Sequence, residues 1–212
     1  MIDLHTHTLF SDGELLPTEL VRRCEVAGYR CVVIADHADA SLLDFTVPRL
    51  VKLCKELAGV VKIKVKPGVE LTHVRPEHYK RLTVEARRLG AEVVLAHGET
   101  MVEPVIPGTN RAAIEAGVDV IGHPGLISVA DARLAARKGV CLEISGRKGH
   151  CLSNGHVAAV ARSVGASLVF GSDAHSPGDL VPRDFAERIA YGAGMDRSGI
   201  RRLFARAEAF FR

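Results

Sequence analysis

The chain has 212 residues, of which 47% are hydrophobic and 25% are charged. This composition is typical of a globular protein with a buried core, and it excludes general disorder and low complexity. Lys and Arg outnumber Asp and Glu by 28 to 25, and this small excess without a basic block neither requires nor excludes nucleic-acid binding. The chain has no tryptophan, three tyrosines and seven phenylalanines, so we expect no aromatic stacking platform for single strands.

The apolar segments are too short to cross a membrane. The longest runs, such as Cys31–Ala35 and Val93–Ala96, are far below the ~18 residues of a membrane span. The N-terminal segment Met1–His5 lacks a basic stretch followed by an apolar one, so we expect no signal peptide. Five cysteines form no CxxC pair, which is typical of reduced thiols, and we expect a cytoplasmic protein. The sequence makes no prediction of an oligomeric state.

Short apolar runs alternate with amphipathic stretches along the whole chain. The predicted strands are Ile2–His7, Cys31–His37, Ile63–Leu71, Glu92–His97, Val118–His123, Val140–Ser145 and Ser167–Asp173. The predicted helices are Thr18–Ala27, Pro48–Ala58, Glu77–Leu89, Arg111–Ala116, Val129–Lys138, Val157–Val164, Asp184–Tyr191 and Ser198–Phe211. A glycine follows the first six of these helices, where a helix commonly ends.

Seven β-then-α units in strict alternation predict parallel strands covered by helices. No linker long enough to divide two domains interrupts these units, so we expect residues 1–212 to form a single domain. An open, doubly wound sheet is the alternative topology. We favour a seven-stranded (β/α) barrel, because closure brings the ends of all the strands, and the polar residues there, to one mouth.

Residues that can bind a divalent metal ion end six of the seven predicted strands. The first strand ends in His5 and His7, and residues i and i+2 of a strand point the same way, so both imidazoles can reach one ion. Asp173 and His175 form a second such pair after the last strand. The other candidates at or just after strand ends are Asp12, Asp36, His37, Glu70, His97, Glu99 and His123. A single histidine at a strand end is most often a hydrogen-bonded residue, but the repetition in strand after strand favours a metal site.

In these motifs the sequence resembles the PHP (polymerase and histidinol phosphatase) domain family. The resemblance covers essentially the whole chain, from His5-Thr6-His7 through Ser11-Asp12-Gly13 to Ser172-Asp173-Ala174-His175. It implies a distorted, TIM-like barrel of seven strands, a centre of three metal ions, and activity on phosphate esters. By position, it assigns one ion to His5, His7, Glu70 and Asp173, a second to Glu70, His97 and His123, and a third to Asp12, His37 and His175. Members of the family have either His or Asp at the position of Asp12.

Mixed imidazole and carboxylate ligands suit Zn²⁺, Mn²⁺ or Fe²⁺ and do not choose between them, so we expect two to three such ions. A bridging Glu70 would hold two ions about 3.5–4 Å apart, the separation that serves in-line displacement at phosphorus. Water between two such ions loses its proton near neutral pH and becomes the nucleophile. Three ions also outweigh the charges of Asp12, Glu70 and Asp173, which favours a phosphate dianion at the mouth.

Other residues near the strand ends are candidates for substrate binding and proton transfer. Arg147 can hold phosphate oxygens in a bidentate manner, although a solvated basic loop is an equal alternative, and Arg75 is a second candidate. Asp173 or His175 is a candidate for passing a proton to the leaving group. We expect Asp36 to orient metal-bound imidazoles by accepting a hydrogen bond from the ring nitrogen that does not bind the metal.

Glu99 either orients an imidazole in the same way or is solvated. The four remaining histidines are expected at the surface, with His150 the one that can face the mouth: His73, His78, His150 and His156.

These observations predict a metal-dependent phosphomonoesterase, similar to histidinol phosphatases, that acts on a small phosphorylated substrate. A nucleotide or oligonucleotide phosphoesterase of the same fold is the first alternative. An amidohydrolase is an enzymatic rival, but that family uses a carbamylated lysine or its replacement where this chain has His97. A non-catalytic scaffold is the third alternative, although such scaffolds often lose ligands and all nine positions are filled here.

Overall fold

The computed structural model, which describes residues 1–212, has eight strands and eight α-helices. The strands are β1 (Ile2–Thr6), β2 (Cys31–Ile34), β3 (His37–Ala38), β4 (Lys64–Leu71), β5 (Val93–His97), β6 (Val120–Gly122), β7 (Cys141–Ser145) and β8 (Leu168–Gly171). The α-helices are α1 (Pro17–Val26), α2 (Leu43–Leu57), α3 (Tyr79–Leu89), α4 (Thr109–Ala116), α5 (Val129–Lys138), α6 (Asn154–Val164), α7 (Arg183–Gly192) and α8 (Arg197–Glu208). Short 3₁₀ helices occupy Pro76–His78, His150–Ser153, Pro177–Asp179 and Ala209–Phe211.

Seven of the strands follow one another around a barrel in the order β1-β2-β4-β5-β6-β7-β8, and every pair is parallel. The barrel is nearly closed, because β8 leads into a single bridge between Ala174 and Thr6 of β1. At this join the Asp173 N–H donates to the His5 carbonyl oxygen at 2.9 Å, and the His7 N–H donates to that of Ala174 at 2.9 Å. The predicted fold, a seven-stranded (β/α) barrel in one α/β domain, is confirmed.

The second predicted strand, Cys31–His37, is interrupted. β2 ends at Ile34, and the chain pairs again at His37, which lies opposite Glu70 of β4 in the short strand β3. Between them, the Asp36 carboxylate accepts hydrogen bonds from the Thr8 N–H at 2.6 Å and the Thr8 hydroxyl at 2.7 Å. This attachment of Asp36 to the first loop accompanies the interruption of the strand and leaves the ring of His37 beside the Glu70 carboxylate.

Two helices begin earlier than the sequence predicts. α2 begins at Leu43 instead of Pro48, because the buried Leu43 extends its apolar face and outweighs the backbone hydrogen bond that Pro48 lacks. α6 begins at Asn154 instead of Val157, and the Asn154 side chain exchanges two hydrogen bonds with the backbone of Ser145 in β7. The other predicted helices and strands are present with shifts of a few residues at their ends.

The barrel interior is apolar at one end and polar at the other. At the apolar end, inward side chains pack against Ala207 and Phe211 of the C-terminal segment: Ile2, Leu4, Cys31, Val33, Ala35, Val93, Leu95, Val120, Cys141 and Val169. A larger cluster of 43 buried residues lies between the strands and the helices. At the carboxyl ends of the strands, buried histidine and acidic side chains fill the interior instead. None of the helices is long and apolar enough to cross a membrane.

Glycines at inward positions make room for these polar side chains. A Cβ on Gly122 would lie 3.0 Å from His5 Cε1 and 3.1 Å from Glu70 Oε1. A Cβ on Gly171 would overlap the Glu143 carboxylate and lie 2.8 Å from His5 Cβ. The polar end of the barrel therefore depends on small residues in the neighbouring strands.

We predict that Gly171→Ala lowers the free energy of unfolding by about 1–3 kcal/mol, because the added methyl group fits only if His5 or Glu143 moves. Gly192→Ala is the matched control, since the space around Gly192 in α7 is open and alanine favours a helix. Urea unfolding of both variants measures the difference, and equal stabilities would contradict this packing.

Candidate metal centre

All nine predicted metal-binding residues lie together at the carboxyl ends of the strands. His5, His7 and Glu70 are completely buried, whereas the Asp12 side chain at the outer edge is 58% exposed. The other members lie between these extremes: His37, His97, His123, Asp173 and His175. The cluster therefore has a buried floor and one edge that is open to solvent.

Glu70 of β4 is the centre of the cluster. Its Oε1 lies 3.3 Å from His5 Nε2 and 3.3 Å from His123 Nε2. Its Oε2 lies 2.7 Å from His37 Nδ1 and 3.9 Å from His7 Nε2. Each oxygen thus faces imidazoles from different strands, which is the placement that a bridging carboxylate requires.

Asp173 is the second buried carboxylate. Its Oδ1 lies 3.3 Å from His7 Nε2 and 3.9 Å from His5 Nε2, and its Oδ2 lies 3.7 Å from His123 Nε2. The backbone of Asp173 has a φ of 55° and that of His123 a φ of 27°, values that residues other than glycine rarely adopt. Backbone strain is thus retained where these side chains converge.

The remaining predicted ligands lie on either side of this floor. On one side, Asp12 Oδ1 lies 3.4 Å from His37 Nε2 and 3.1 Å from His175 Nε2. His7 also belongs to this group, since its ligand atom lies within 4.8 Å of the other three. On the other side, the rings of His97 and His123 are 4.3 Å apart between centroids.

Hydrogen-bond acceptors behind four of the six imidazoles favour one ring orientation. These contacts join His5 Nδ1 to Glu143 Oε2 at 2.6 Å, His37 Nδ1 to Thr72 Oγ1 at 2.7 Å, His97 Nδ1 to the Gly98 carbonyl at 3.2 Å and His175 Nδ1 to the Asp173 carbonyl at 2.9 Å. A proton on Nδ1 leaves the lone pair of Nε2 free for an ion. Most of these rings are therefore held in an orientation that suits metal binding.

The charge states of His7 and of the two buried carboxylates also suit metal binding. Burial lowers the pKa of His7 to about 3, so this imidazole is neutral. Burial raises the pKa of the Asp173 carboxyl, but His5 and His7 outweigh it and hold that pKa far below its usual range. The same opposition, with His5 and His37 as the nearest cations, holds the pKa of Glu70 well below its usual range. Both carboxylates are ionised.

The cluster fits a group of divalent ions. Five of its buried atoms have no hydrogen-bond partner: His5 Nε2, both ring nitrogens of His7, Glu70 Oε1 and His123 Nδ1. Buried polar atoms are rarely left unpaired in proteins. The distances quoted above from imidazole Nε2 atoms to the oxygens of Asp12, Glu70 and Asp173 are 3.1–3.9 Å, which brackets the about 3.3 Å between ligands that surround an ion tetrahedrally with bonds of 2.0–2.1 Å.

The Arg147 guanidinium reaches the cluster from the loop after β7. Its Nη1 donates to the Asp173 carbonyl oxygen at 3.2 Å and lies 2.7 Å from His175 Nδ1. The Arg147 side chain is 31% exposed, so it is accessible from the mouth. Arg75 is exposed at the start of the 3₁₀ helix Pro76–His78 and forms no ion pair or hydrogen bond with the cluster.

Two acidic residues have roles other than those predicted. The prediction that Asp36 orients an imidazole is wrong, because its carboxylate accepts from Thr8 and from the Ser11 hydroxyl at 2.8 Å. Asp36 thereby fixes the first loop, which carries Asp12. Glu99 neither orients an imidazole nor stays solvated, since its Oε1 accepts from the Gly108 N–H at 3.1 Å and from the Asn110 N–H at 2.8 Å, at the start of α4.

Three residues that join the cluster were assigned no role in it from the sequence. Glu143 contacts His5, and its position as an inward acid in an otherwise apolar strand is a signal that the sequence contains. Glu103 lies in the loop after β5, where no periodicity predicts its direction, and its Oε2 is 3.1 Å from His97 Nε2. His73 is exposed, as predicted, but its Nε2 lies 3.2 Å from the same oxygen of Glu103.

The other histidines outside the predicted set divide between mouth and surface. His150 is buried and faces the mouth, with its Nε2 3.4 Å from Glu103 Oε1 and 3.9 Å from Asp173 Oδ2. His78 is exposed, as predicted. His156 is half-buried, and its Nε2 lies 2.8 Å from the Ile127 carbonyl oxygen.

Glu143→Gln is expected to weaken Zn²⁺ binding by about 10- to 100-fold, the loss that changes directly behind metal ligands produce. Glu143 Oε2 contacts His5 Nδ1 and Oε1 accepts from the His123 N–H at 3.2 Å, whereas an amide has a single acceptor oxygen for two donors. Glu115→Gln, on the exposed surface of α4, is the control. Competition with a chromophoric chelator measures the affinity for Zn²⁺. Wild-type affinity in Glu143→Gln would show that metal binding does not need the contact of Glu143 with His5.

Comparison with known proteins places this site in a family. The PHP domain model matches residues 3–137. An uncharacterised protein of Methanocaldococcus jannaschii is 42% identical over 198 residues, which cover 91% of this chain and 89% of that protein. A probable phosphatase of Shewanella sp. strain ANA-3 is 39% identical over 205 residues, with 82% of this chain and 76% of that protein covered.

Solved structures share the fold at lower identity. A chain of an archaeal ribonuclease P with mature tRNA superimposes with a TM-score of 0.73 at 19% identity, covering 99% of this chain and 89% of that one. Histidinol phosphate phosphatase from Lactococcus lactis, solved with zinc, L-histidinol and phosphate, gives a TM-score of 0.61 at 18% identity, covering 92% of this chain and 94% of that one. The match to the family model and the two sequence relatives show that the chain belongs to the PHP domain family.

Proposed function

We propose that this protein is a metal-dependent phosphoesterase that acts on a small phosphomonoester. The observation that carries the proposal is the buried cluster of imidazoles around the carboxylates Glu70 and Asp173, in which five atoms have no hydrogen-bond partner. A sequence relative named as a probable phosphatase, and a structural neighbour that binds zinc, L-histidinol and phosphate, support it.

Divalent ions in this cluster would supply Lewis acidity, which lowers the pKa of water and neutralises phosphate oxygens. The protein residues fix where this chemistry takes place. His5, His7, His123 and Asp173 are buried, so the floor is closed to substrate. The Asp12 edge is exposed, and we therefore infer that the phosphate group approaches from that side.

The charge of the mouth favours a role for Arg147 in phosphate binding. Besides Asp12, Glu70 and Asp173, the carboxylates of Glu143 and Glu103 face the cluster. Three divalent ions would exceed these five carboxylates by a single positive charge. The mouth is therefore less cationic than the predicted ligands alone indicate, and a guanidinium beside it adds charge where a dianion must bind.

The contact between Arg147 and His175 also favours this role. His175 Nδ1 lies 2.7 Å from Arg147 Nη1 and accepts its hydrogen bond if the imidazole proton is on Nε2. If His175 held an ion through Nε2, its proton would be on Nδ1 and would be donated to the Asp173 carbonyl oxygen. The guanidinium would thereby lose one acceptor and be free to turn to a phosphate oxygen.

His175 is better placed than Asp173 to donate a proton to the leaving group. The Asp173 carboxylate is enclosed by His5, His7 and His123, with its pKa held far below the usual range, so it is a ligand and not a proton donor. His175 lies beside the exposed Asp12. If two ions bind instead of three, His175 Nε2 remains free to donate a proton there.

The alternatives make different demands on the structure. An amidohydrolase with a carbamylated lysine needs a lysine in the cluster, but Lys66 of β4 pairs with Glu92 and Lys64 donates to the Phe211 carbonyl oxygen. A non-catalytic scaffold has no need of buried, unpaired metal-binding atoms. A nucleotide phosphoesterase needs the same centre and differs only in the ester that binds.

A panel of phosphomonoesters, including histidinol phosphate and nucleotides, tests the proposal on protein loaded with Zn²⁺, Mn²⁺ or Fe²⁺. We expect hydrolysis of at least one ester and its loss in Glu70→Gln, because an amide cannot bridge two cations through two acceptor oxygens. Glu115→Gln is the control for an exposed glutamate. Absence of hydrolysis with every metal and every ester would overturn the proposal.

Arg147→Ala is expected to lower kcat/KM about 10- to 150-fold on the best ester, as removal of a charge-assisted hydrogen bond of 1.5–3 kcal/mol predicts. The metal content should not change, since no predicted ligand is removed, and Arg147→Lys should restore part of the loss. Lys148→Ala is the control for an exposed charge in the same loop. Unchanged kcat/KM in Arg147→Ala, together with a lower kcat/KM in Arg75→Ala, would assign phosphate binding to Arg75 instead.

A further inference from the structure

A second group of ligand atoms lies at the rim of the mouth, outside the nine predicted positions. Glu103 Oε2 is 3.1 Å from His97 Nε2 and 3.2 Å from His73 Nε2. The ligand atoms of these three residues all lie within 4.8 Å of one another. The Glu103 side chain is 36% exposed and that of His73 is 44% exposed, so solvent reaches the group directly.

The geometry of this group resembles that of the buried floor. Both imidazoles direct Nε2 to one carboxylate oxygen, at distances close to the about 3.3 Å between ligands of a tetrahedral site. His97 Nδ1 faces the Gly98 carbonyl oxygen at 3.2 Å, which leaves its Nε2 as the binding atom. The rings of His73 and His97 are stacked, with centroids 5.1 Å apart.

The backbone conformation of His73 also indicates that its imidazole is held in place. His73 has a φ of 49°, and the only other residues besides glycine with a positive φ are His123 and Asp173, both in the predicted metal centre. Such a conformation costs free energy and persists where surrounding contacts hold the side chain in one place. The strained position of His73 keeps its imidazole beside Glu103.

We propose that His73, His97 and Glu103 form an outer metal site at the rim of the mouth, which binds a divalent transition-metal ion from solvent. Two imidazoles and one carboxylate are a ligand set that zinc and similar ions take, with a further position left to water. Because one imidazole nitrogen binds one ion, an ion at the outer site would take His97 from the inner position, where Glu70 and His123 remain. Its other two ligands, His73 and Glu103, are accessible to solvent, so we expect the outer ion to be the last to bind and the first to exchange.

The alternative is an ion pair without a metal. In that case protonated imidazoles provide the charge that Glu103 needs, and Glu103 competes with any ion for His97. The two cases predict opposite effects of removing the carboxylate. Loss of a ligand weakens the binding of the last ion, whereas loss of a competing carboxylate strengthens it or leaves it unchanged.

The test is the titration of the full-length protein with Zn²⁺ in competition with a chromophoric chelator, for Glu103→Gln and His73→Asn. Asparagine tolerates the left-handed backbone, so His73→Asn removes the imidazole without adding strain. Glu77→Gln and His78→Asn, two exposed residues a few positions away, are the matched controls. Circular dichroism confirms that each variant is folded before titration.

We expect both rim variants to weaken the last Zn²⁺ at least about 10-fold, the lower end of the loss from changes beside metal ligands, while the tighter ions and both controls keep wild-type affinity. Unchanged or tighter binding in Glu103→Gln would overturn the outer site in favour of the ion pair. A loss in Glu103→Gln without one in His73→Asn would overturn it as well, because His73 would not be a ligand. The titration does not depend on hydrolysis, so failure of the phosphoesterase proposal would leave this result independent.

Discussion

A completely buried carboxylate, Glu70, with four imidazoles from three different segments around it, is the constraint on which the mouth of this barrel depends. An ionised carboxylate taken out of water is costly unless opposite charge lies close to it. Asp173, which follows β8, is a second buried carboxylate with the same requirement. Protonated imidazoles supply part of the missing charge, but protons leave several of the buried nitrogens unpaired. Divalent ions satisfy the charges and the unpaired atoms together, so we expect metal binding and the stability of the mouth to be coupled.

The rest of the barrel serves to hold these groups in place. The apolar packing at the opposite end, closed by Phe211, keeps the strands in register without entering the polar end. Small residues such as Gly122 and Gly171 leave the space that the rings occupy. Glu143 fixes the ring of His5 and also accepts from the His123 backbone, so one buried side chain links two of the segments that surround Glu70.

The sequence predicts the barrel and the cluster at its strand ends because both depend on local, periodic features, and the resemblance to the PHP family selects the nine positions among the candidates. Alternation along a strand sets which side chains point inward, and parallel pairing brings strand ends such as His97 and His123 to one edge. The interruption at Asp36 was not predicted, since it depends on hydrogen bonds to a loop distant in sequence. Glu103 was missed for the same reason: it lies in an irregular loop whose path is set by tertiary contacts. His73 was placed correctly at the surface, but exposure alone does not show which neighbour it contacts.

The most direct test of the metal centre is the anomalous difference density of crystals of Zn²⁺-loaded protein. If Glu70 bridges, two peaks will lie about 2.0–2.2 Å from its carboxylate oxygens, one on each side. Density with no peak at coordinating distance from Glu70 would contradict the account, because the surrounding imidazoles would then be its ion-pair partners and nothing more.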